Sequence, residues 1–151
     1  MHTHNDEAVK TINGLIETTL DSAAGYQEAA ENVDDPQLKT LFADRAQERT
    51  RISHTLQAEV RSFGGKPEDD QSLVGKAHNK LVDIKAALAG GHSDKAVVDE
   101  VERGEDFIKG KFEKVLKKDD LPAEARTRIE EAYASIKADH DRISALKHAM
   151  H

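Results

Sequence analysis

The stretch LKTLFADRAQERTRISHTLQAEVRSF, residues 38–63, decides how this protein folds. Its apolar residues recur at spacings of three and four, which predicts one long helix with a buried stripe. The stripe consists of Leu38, Leu41, Ile52, Leu56 and Phe63, and it also contains the charged residues Arg45, Glu48 and Glu59. Because a charge that faces a protein core must be paired or must bind a ligand, the stretch also predicts a buried polar site.

Composition predicts a single all-α domain over residues 1–151. The chain has 151 residues, of which 37% are hydrophobic and 34% are charged, so it is long enough to bury a substantial core. Aromatic residues make up only 4%, a composition that favours helices packed through aliphatic side chains. The sequence contains no cysteine, which excludes disulfides, thiol catalysis and thiolate metal sites.

Charge and hydropathy indicate which partners to expect. The formal net charge is −7 and no basic cluster is present, so nucleic acid is not an expected partner. The first residues lack the charge and apolar run of a secretion signal, and no apolar run approaches the length of a membrane span. We therefore expect a cytoplasmic protein with no membrane partner. The small residues Ala23, Ala24 and Gly25 allow a homodimer, and no protein partner is identified.

Start and stop signals divide the chain into five predicted helices, at residues 6–32, 36–63, 72–89, 93–118 and 120–150. Asp35 is the expected N-cap before Pro36, Ser93 or Asp94 caps the fourth helix, and Gly64 supplies the left-handed residue that ends the second. The short link after the first helix makes the first two helices antiparallel. The shorter helix at 72–89 is expected in the crossover of an up-down four-helix bundle.

Each long predicted helix carries a polar residue on its apolar stripe near its midpoint. These residues are Thr19 on the first helix, Arg45 and Glu48 on the second, Glu105 on the fourth and His140 on the fifth. Because the midpoints of antiparallel helices meet, we expect one buried polar layer that contains at least Glu48, Glu105 and His140. Tyr26 is expected to be a core aromatic residue whose hydroxyl contacts Glu48 or Glu105.

An acidic cluster surrounds Glu105. Glu102 and Asp106 lie close to it in sequence, but only Glu105 faces inward by helical spacing. A metal site built from the three carboxylates of this one helix is therefore not expected.

Short motifs occur along most of the chain. They are Leu-Ile-Glu at 15–17 with Asp21-Ser22 and Gly25-Tyr26, Gly64-Gly65-Lys66-Pro67 after the Glu48 region, and Glu-Arg-Gly-Glu-Asp at 102–106. With residues 12–26 and the His140 region, they resemble the ferritin-like superfamily, which includes bacterioferritin and rubrerythrin. More closely, the chain resembles a bacterial family of small stand-alone four-helix-bundle proteins of unknown function. The resemblance implies a ferritin-like bundle and a stress-associated accessory role.

The resemblance also implies which metal ligands to look for. Di-iron members use one Glu from each of two helices and Glu-x-x-His from each of the other two. In this sequence Thr19 stands at the first Glu, Glu48-x-x-Arg51 replaces one Glu-x-x-His, Glu105 matches the third-helix Glu, and Lys137-x-x-His140 lacks the last Glu. Glu48, Glu105 and His140 are thus the ligands that the resemblance retains, in a degenerate di-iron site.

One interpretation of this residue set is an ion-pair network without a cofactor. The lost carboxylates are accompanied by Arg51 and Lys137, whose positive charges would repel a metal ion. Glu48 and Glu105 would then be paired with these cations or with Arg45, in a non-enzymatic protein. The positions of Arg51 and Lys137 are decisive, because at the edge of the stripe both side chains could reach water and the objection to a metal would disappear.

The alternative interpretation is a metal-binding protein of the oxidase type. Glu48, Glu105 and His140 would hold a single Fe, Mn or Zn ion, and Tyr26 or water would complete its coordination. This alternative remains open at the level of the sequence.

Overall fold

The structure, a computed structural model, describes residues 2–69, 84, 88–89 and 93–150. In this part of the chain it consists of four long helices, α1 (His2–Asn32), α2 (Pro36–Ser62), α3 (Asp94–Leu116) and α4 (Ala123–Met150). The all-α prediction is confirmed. The helix predicted at residues 72–89 lies outside the described residues, except for Ile84, Leu88 and Ala89. No helix in the described ranges has the apolar length that crossing a membrane requires.

The ends of the helices follow local sequence signals. The Asp35 side chain accepts a hydrogen bond of 2.8 Å from the backbone N–H two residues later, and Pro36 begins α2. Ser93 caps α3 in the same way, by accepting a bond of 3.0 Å from the N–H three residues later. Gly64 adopts a φ of 79° just after α2, a left-handed conformation that favours glycine. These predicted caps are confirmed.

The helices form two antiparallel hairpins, α1 with α2 and α3 with α4. The Asp94 carboxylate accepts hydrogen bonds from the N–H groups of Asp34 at 2.8 Å and Asp35 at 3.0 Å. The start of α3 therefore lies beside the α1–α2 turn, so α2 and α3 run in the same direction. The end of α2 and the start of α3 therefore lie at opposite ends of the bundle, as in the predicted two-hairpin topology with one long connection. Contacts of α1 with α3 and of α2 with α4 complete the bundle.

The core lies between the four helices and is mostly aliphatic. Its fully buried apolar side chains include Ile12, Ile16, Phe42, Leu56, Ile108, Phe112, Ile129 and Ile136. Burying such side chains supplies most of the free energy that stabilises a helical bundle. This apolar core surrounds a group of charged side chains near the middle of the helices.

Between residues 42 and 49, the buried stripe of α2 lies one residue later in the sequence than predicted. Phe42 is fully buried, whereas Leu41 and Phe63 only pack partly buried against the core. Consequently Arg49 faces the core, while Glu48 is partly exposed. Leu41 and Phe42 are both apolar, and the larger aromatic side chain takes the interior position.

Two glycines give opposite predictions for substitution by alanine. A Cβ at Gly65 would lie 2.6 and 2.7 Å from the γ carbons of Val9, a side chain with little rotamer freedom on α1. We expect Gly65→Ala to lower the free energy of unfolding by about 1–3 kcal/mol. Gly14 lies inside α1, and apart from the backbone of its own helix no atom of the described residues lies within 4 Å of an added Cβ. Gly14→Ala should therefore raise it by about 1 kcal/mol.

Urea denaturation followed by circular dichroism measures both changes. Equal effects of the two substitutions would contradict the close approach of α1 to the segment after α2.

Candidate functional site: a buried ion-pair network

A fully buried Arg–Glu pair joins α2 to α3 inside the bundle. The side chain of Arg49 is 0% exposed and that of Glu105 is 2% exposed. Arg49 Nη1 donates to Oε1 of Glu105 at 2.7 Å, and Nη2 donates to Oε2 at 2.6 Å. Two parallel charge-assisted bonds are the strongest arrangement that arginine makes with a carboxylate. Removing either partner would leave an uncompensated charge in the core.

Two further charged residues extend this pair. Arg49 Nη2 also donates to Oδ2 of Asp139 on α4 at 3.2 Å, and Arg45 Nη1 donates to Oδ1 of Asp139 at 3.1 Å. Asp139 is buried, and Arg45 reaches toward the surface, where it pairs with the exposed Asp44 at 2.7 Å. We call Arg45, Arg49, Glu105 and Asp139 the central ion-pair network. Its two positive and two negative charges balance one another.

Helix α1 contributes Ser22 and Tyr26 to the same site. Arg49 Nη1 donates a bond of 2.7 Å to Oγ of Ser22. The guanidinium carbon of Arg49 lies 5.2 Å from the centre of the Tyr26 ring, a cation–π distance, and Tyr26 also packs against Phe42. The Tyr26 hydroxyl is buried close to the Glu105 carboxylate. All four helices therefore meet at Arg49.

Burial and charge fix the protonation states of two groups in this site. Burial opposes the charge of Arg49, but the adjacent Glu105 carboxylate outweighs it and raises the pKa of Arg49 above its ordinary value. Burial, followed by the negative charge of Glu105, raises the pKa of Tyr26 well above its ordinary value. Arg49 therefore stays cationic and Tyr26 stays neutral near neutral pH.

The residues at the centre do not fit the two metal ions that the ferritin-like resemblance implies. Two divalent ions are balanced by several carboxylates, whereas the central ion-pair network offers Glu105 and Asp139 only. Both oxygens of Glu105 already accept bonds from Arg49. An ion bound to Glu105 would have to approach a buried guanidinium, whose positive charge repels it.

Three of the residues predicted to form the polar layer are buried in the structure. They are Thr19 and Tyr26 on α1 and Glu105 on α3. The Thr19 hydroxyl donates to the Leu15 carbonyl at 2.7 Å, within its own helix. Arg45 belongs to the central ion-pair network. Thr19 stands where the resemblance places a metal-binding Glu, yet its hydroxyl is used inside α1.

Glu48 and Arg51 lie at the surface between α2 and α4 and outside the central ion-pair network. Glu48 pairs with Arg51 and accepts a bond of 3.3 Å from Ser135. The Arg51 side chain is 75% exposed, so the expectation that it belongs to a buried layer is wrong. Arg51 follows Arg49 by two positions, which is a rotation of about 200° around a helix. The two side chains therefore point to nearly opposite sides.

The same correction applies to Lys137 and His140 on α4. Lys137 precedes the buried Asp139 by two positions, and its side chain is 54% exposed and pairs with Asp141 at 3.3 Å. His140 is mostly covered but lies at the seam between α3 and α4, where its Nε2 is 2.5 Å from Oδ1 of Asp106. The three ligands retained by the resemblance therefore make contacts with different neighbours: Glu48 with Arg51, Glu105 with Arg49, and His140 with Asp106.

The sequence reasoning missed Arg49, Asp139 and Ser22. A signal for two of them was present in the spacing. The series 42, 46, 49, 53, 56, 60 alternates steps of four and three without a break, and so does 129, 132, 136, 139, 143. Placing His140 on the stripe instead of Asp139 requires two successive steps of four. Ser22 carried no comparable signal, because a serine on a buried face is common.

Comparisons with known proteins agree with this architecture. Residues 7–118 match the family described as "Domain of unknown function (DUF2383)". The structure is similar to the crystal structure of an archaeal Dps homologue from Halobacterium salinarum, with a TM-score of 0.62 and 15% sequence identity. That similarity covers 96% of this chain and 81% of the other, and at this identity it shows the fold alone. The chain matches no curated protein sequence.

The family match and the structural similarity together identify the family and the fold of this chain. The match to the family spans most of the sequence, and the similar structure is a ferritin-like four-helix bundle. This protein therefore belongs to the family described as a domain of unknown function, DUF2383, and has the ferritin-like four-helix-bundle fold.

Proposed function

We propose that this protein is a non-enzymatic ferritin-like bundle in which a buried ion-pair network replaces the di-metal centre. The observation that carries the proposal is the position of Arg49. Its guanidinium is fully buried between α2, α3 and α4 and donates to both Glu105 oxygens and to Asp139. In this proposal a cation supplied by the chain takes the place of the metal ions that ferritin-like enzymes hold between their helices, and it neutralises the carboxylates that remain.

The metal-binding alternative has weaker support. It requires Glu48, Glu105 and His140 to converge on one ion. In the described part of the chain, one group of three His, Asp or Glu residues has ligand atoms within 4.8 Å of one another, and it contains neither Glu48 nor Glu105. The exposed positions of Arg51 and Lys137 remove the original objection to a metal, but the buried Arg49 restores it.

The remaining expectations are part of the same proposal. The resemblance suggests a bacterial, cytoplasmic, stress-associated protein that acts by binding or by a structural role, without nucleic acid as a partner. For the homodimer, support comes from a surface groove of about 430 Å³ between α1 and α2, which is lined in part by Ala23, Ala24 and Ala46. Small residues along a groove let another helix approach closely. The role, the location and the homodimer are predictions of this proposal.

Replacing Arg49 tests the network directly. Arg49→Met puts an apolar side chain of similar length in the core and leaves Glu105 without its cation, while Asp139 keeps Arg45. We expect a loss of about 3–5 kcal/mol in the free energy of unfolding, which urea denaturation measures. Adding Glu105→Gln to Arg49→Met should recover part of that loss, because it removes the carboxylate charge that Arg49→Met leaves unpaired.

The matched control is Arg51→Met, which removes an arginine two positions away whose side chain is largely exposed. It should change stability far less than Arg49→Met. If the two variants lost the same stability, or if the double variant showed no recovery, the buried network would not stabilise the bundle. Should Arg49→Met not fold, Arg49→Lys, which keeps the charge and loses the bidentate geometry, gives a milder comparison.

An iron assay tests the absence of a central metal site. The protein is prepared without a histidine tag. If it oxidises ferrous iron under air at all, we expect the rate to be the same when Glu48 and Glu105 are replaced. Ferrous iron is titrated under air, and the absorbance increase is compared between the wild type and Glu48→Gln/Glu105→Gln, with folding checked by circular dichroism. Near-stoichiometric iron in the purified wild type that the double variant loses would contradict the proposal and favour the oxidase-type alternative.

A further inference from the structure

A second group of potential ligands lies at the surface seam between α3 and α4. Glu102 and Asp106 are one helical turn apart on α3, and His140 faces them from α4. One ligand atom from each of these residues lies within 4.8 Å of the others. We call this group the seam triad. It includes no member of the central ion-pair network.

The two ring nitrogens of His140 both face carboxylates. Nδ1 is 3.3 Å from Oδ1 of Asp141, and Nε2 is 2.5 Å from Oδ1 of Asp106. A neutral imidazole carries one N–H, so it can donate to only one of these oxygens. At 2.5 Å from a carboxylate oxygen, Nε2 shares a proton with Asp106. A metal ion would replace that proton between the ring and the carboxylates, while Nδ1 still donates to Asp141.

We propose that the seam triad binds a divalent transition-metal ion, for which Zn²⁺ is the probe. Glu102 and Asp106 would supply two carboxylate oxygens and neutralise the ion, and His140 would bind it through Nε2. Ligands about 2.0–2.2 Å from zinc stand roughly 3.3 Å apart in a tetrahedral site, a spacing that side-chain adjustments can reach from the observed group.

The surroundings of the seam triad match what metal sites require. Asp141 orients the ring from the Nδ1 side, and a carboxylate in this position is a usual partner of a metal-binding histidine. The Asp106 side chain is 59% exposed, so water can reach the fourth coordination position.

One nearby side chain opposes metal binding. Lys147 places its Nζ 3.4 Å from Oε1 of Glu102 and competes with a metal ion for that oxygen.

The experiment is a zinc titration of full-length protein without a tag, followed by calorimetry and by ¹⁵N NMR of the histidine side chains. In the wild type, zinc should shift Nε2 of His140 and leave Nδ1 protonated. His140→Gln and Asp106→Asn should each weaken this binding by about tenfold or more, since even outer-shell changes commonly have effects of that size. Lys147→Met should tighten it, because the competing ammonium is removed.

His54→Gln is the matched control, since His54 is an exposed histidine on α2 far along the sequence from the triad. It should leave the affinity unchanged. Zinc that shifts only other histidines, or that binds His140→Gln as tightly as the wild type, would overturn the proposal, as would no binding at all. Because NMR is read on the wild type, a variant that fails to fold does not prevent the test. The central network is tested separately by Arg49 variants.

Discussion

The contact between the Arg49 guanidinium and the Glu105 carboxylate is the interaction on which the centre of this bundle depends. Both side chains are excluded from water, and each would be costly to bury alone. The pair spans the core between α2 and α3, which lie diagonally opposite each other in the bundle, and it fixes their register. Asp139 on α4 and Ser22 on α1 complete the shell around Arg49, so the register of all four helices is linked to one side chain.

Most of the fold could be predicted from the sequence, because its signals are local. Asp35 and Pro36 start α2, Gly64 ends it, and Ser93 starts α3 through hydrogen bonds and φ angles that involve neighbouring residues. The short turn between α1 and α2 determines their antiparallel pairing. None of these features depends on which side of a long helix faces the core.

The candidate site was harder to predict because it depends on rotation about the helix axis. One residue corresponds to about 100°, so choosing Glu48 over Arg49, or His140 over Asp139, moves the predicted side chain from the core to its edge. Adjacent polar residues such as Glu48 and Arg49 offer no composition signal that separates them. The ferritin-like resemblance favoured Glu48 and His140, since it directs attention to the residue types that bind iron.

Helix α3 has two distinct polar faces within residues 102–106. Glu105 turns inward to Arg49, while Glu102 and Asp106 turn outward to the seam with α4. We infer that the inward face has an ion pair in place of metal chemistry and that the outward face can bind an ion at the surface.

A crystal structure from crystals soaked in Mn²⁺, with an anomalous difference map, tests the central claim most directly. We expect both Glu105 oxygens within hydrogen-bond distance of the Arg49 guanidinium and no anomalous peak between Glu105 and Asp139. A peak coordinated by Glu105, with Arg49 turned away from it, would contradict the replacement of the di-metal centre by an ion pair.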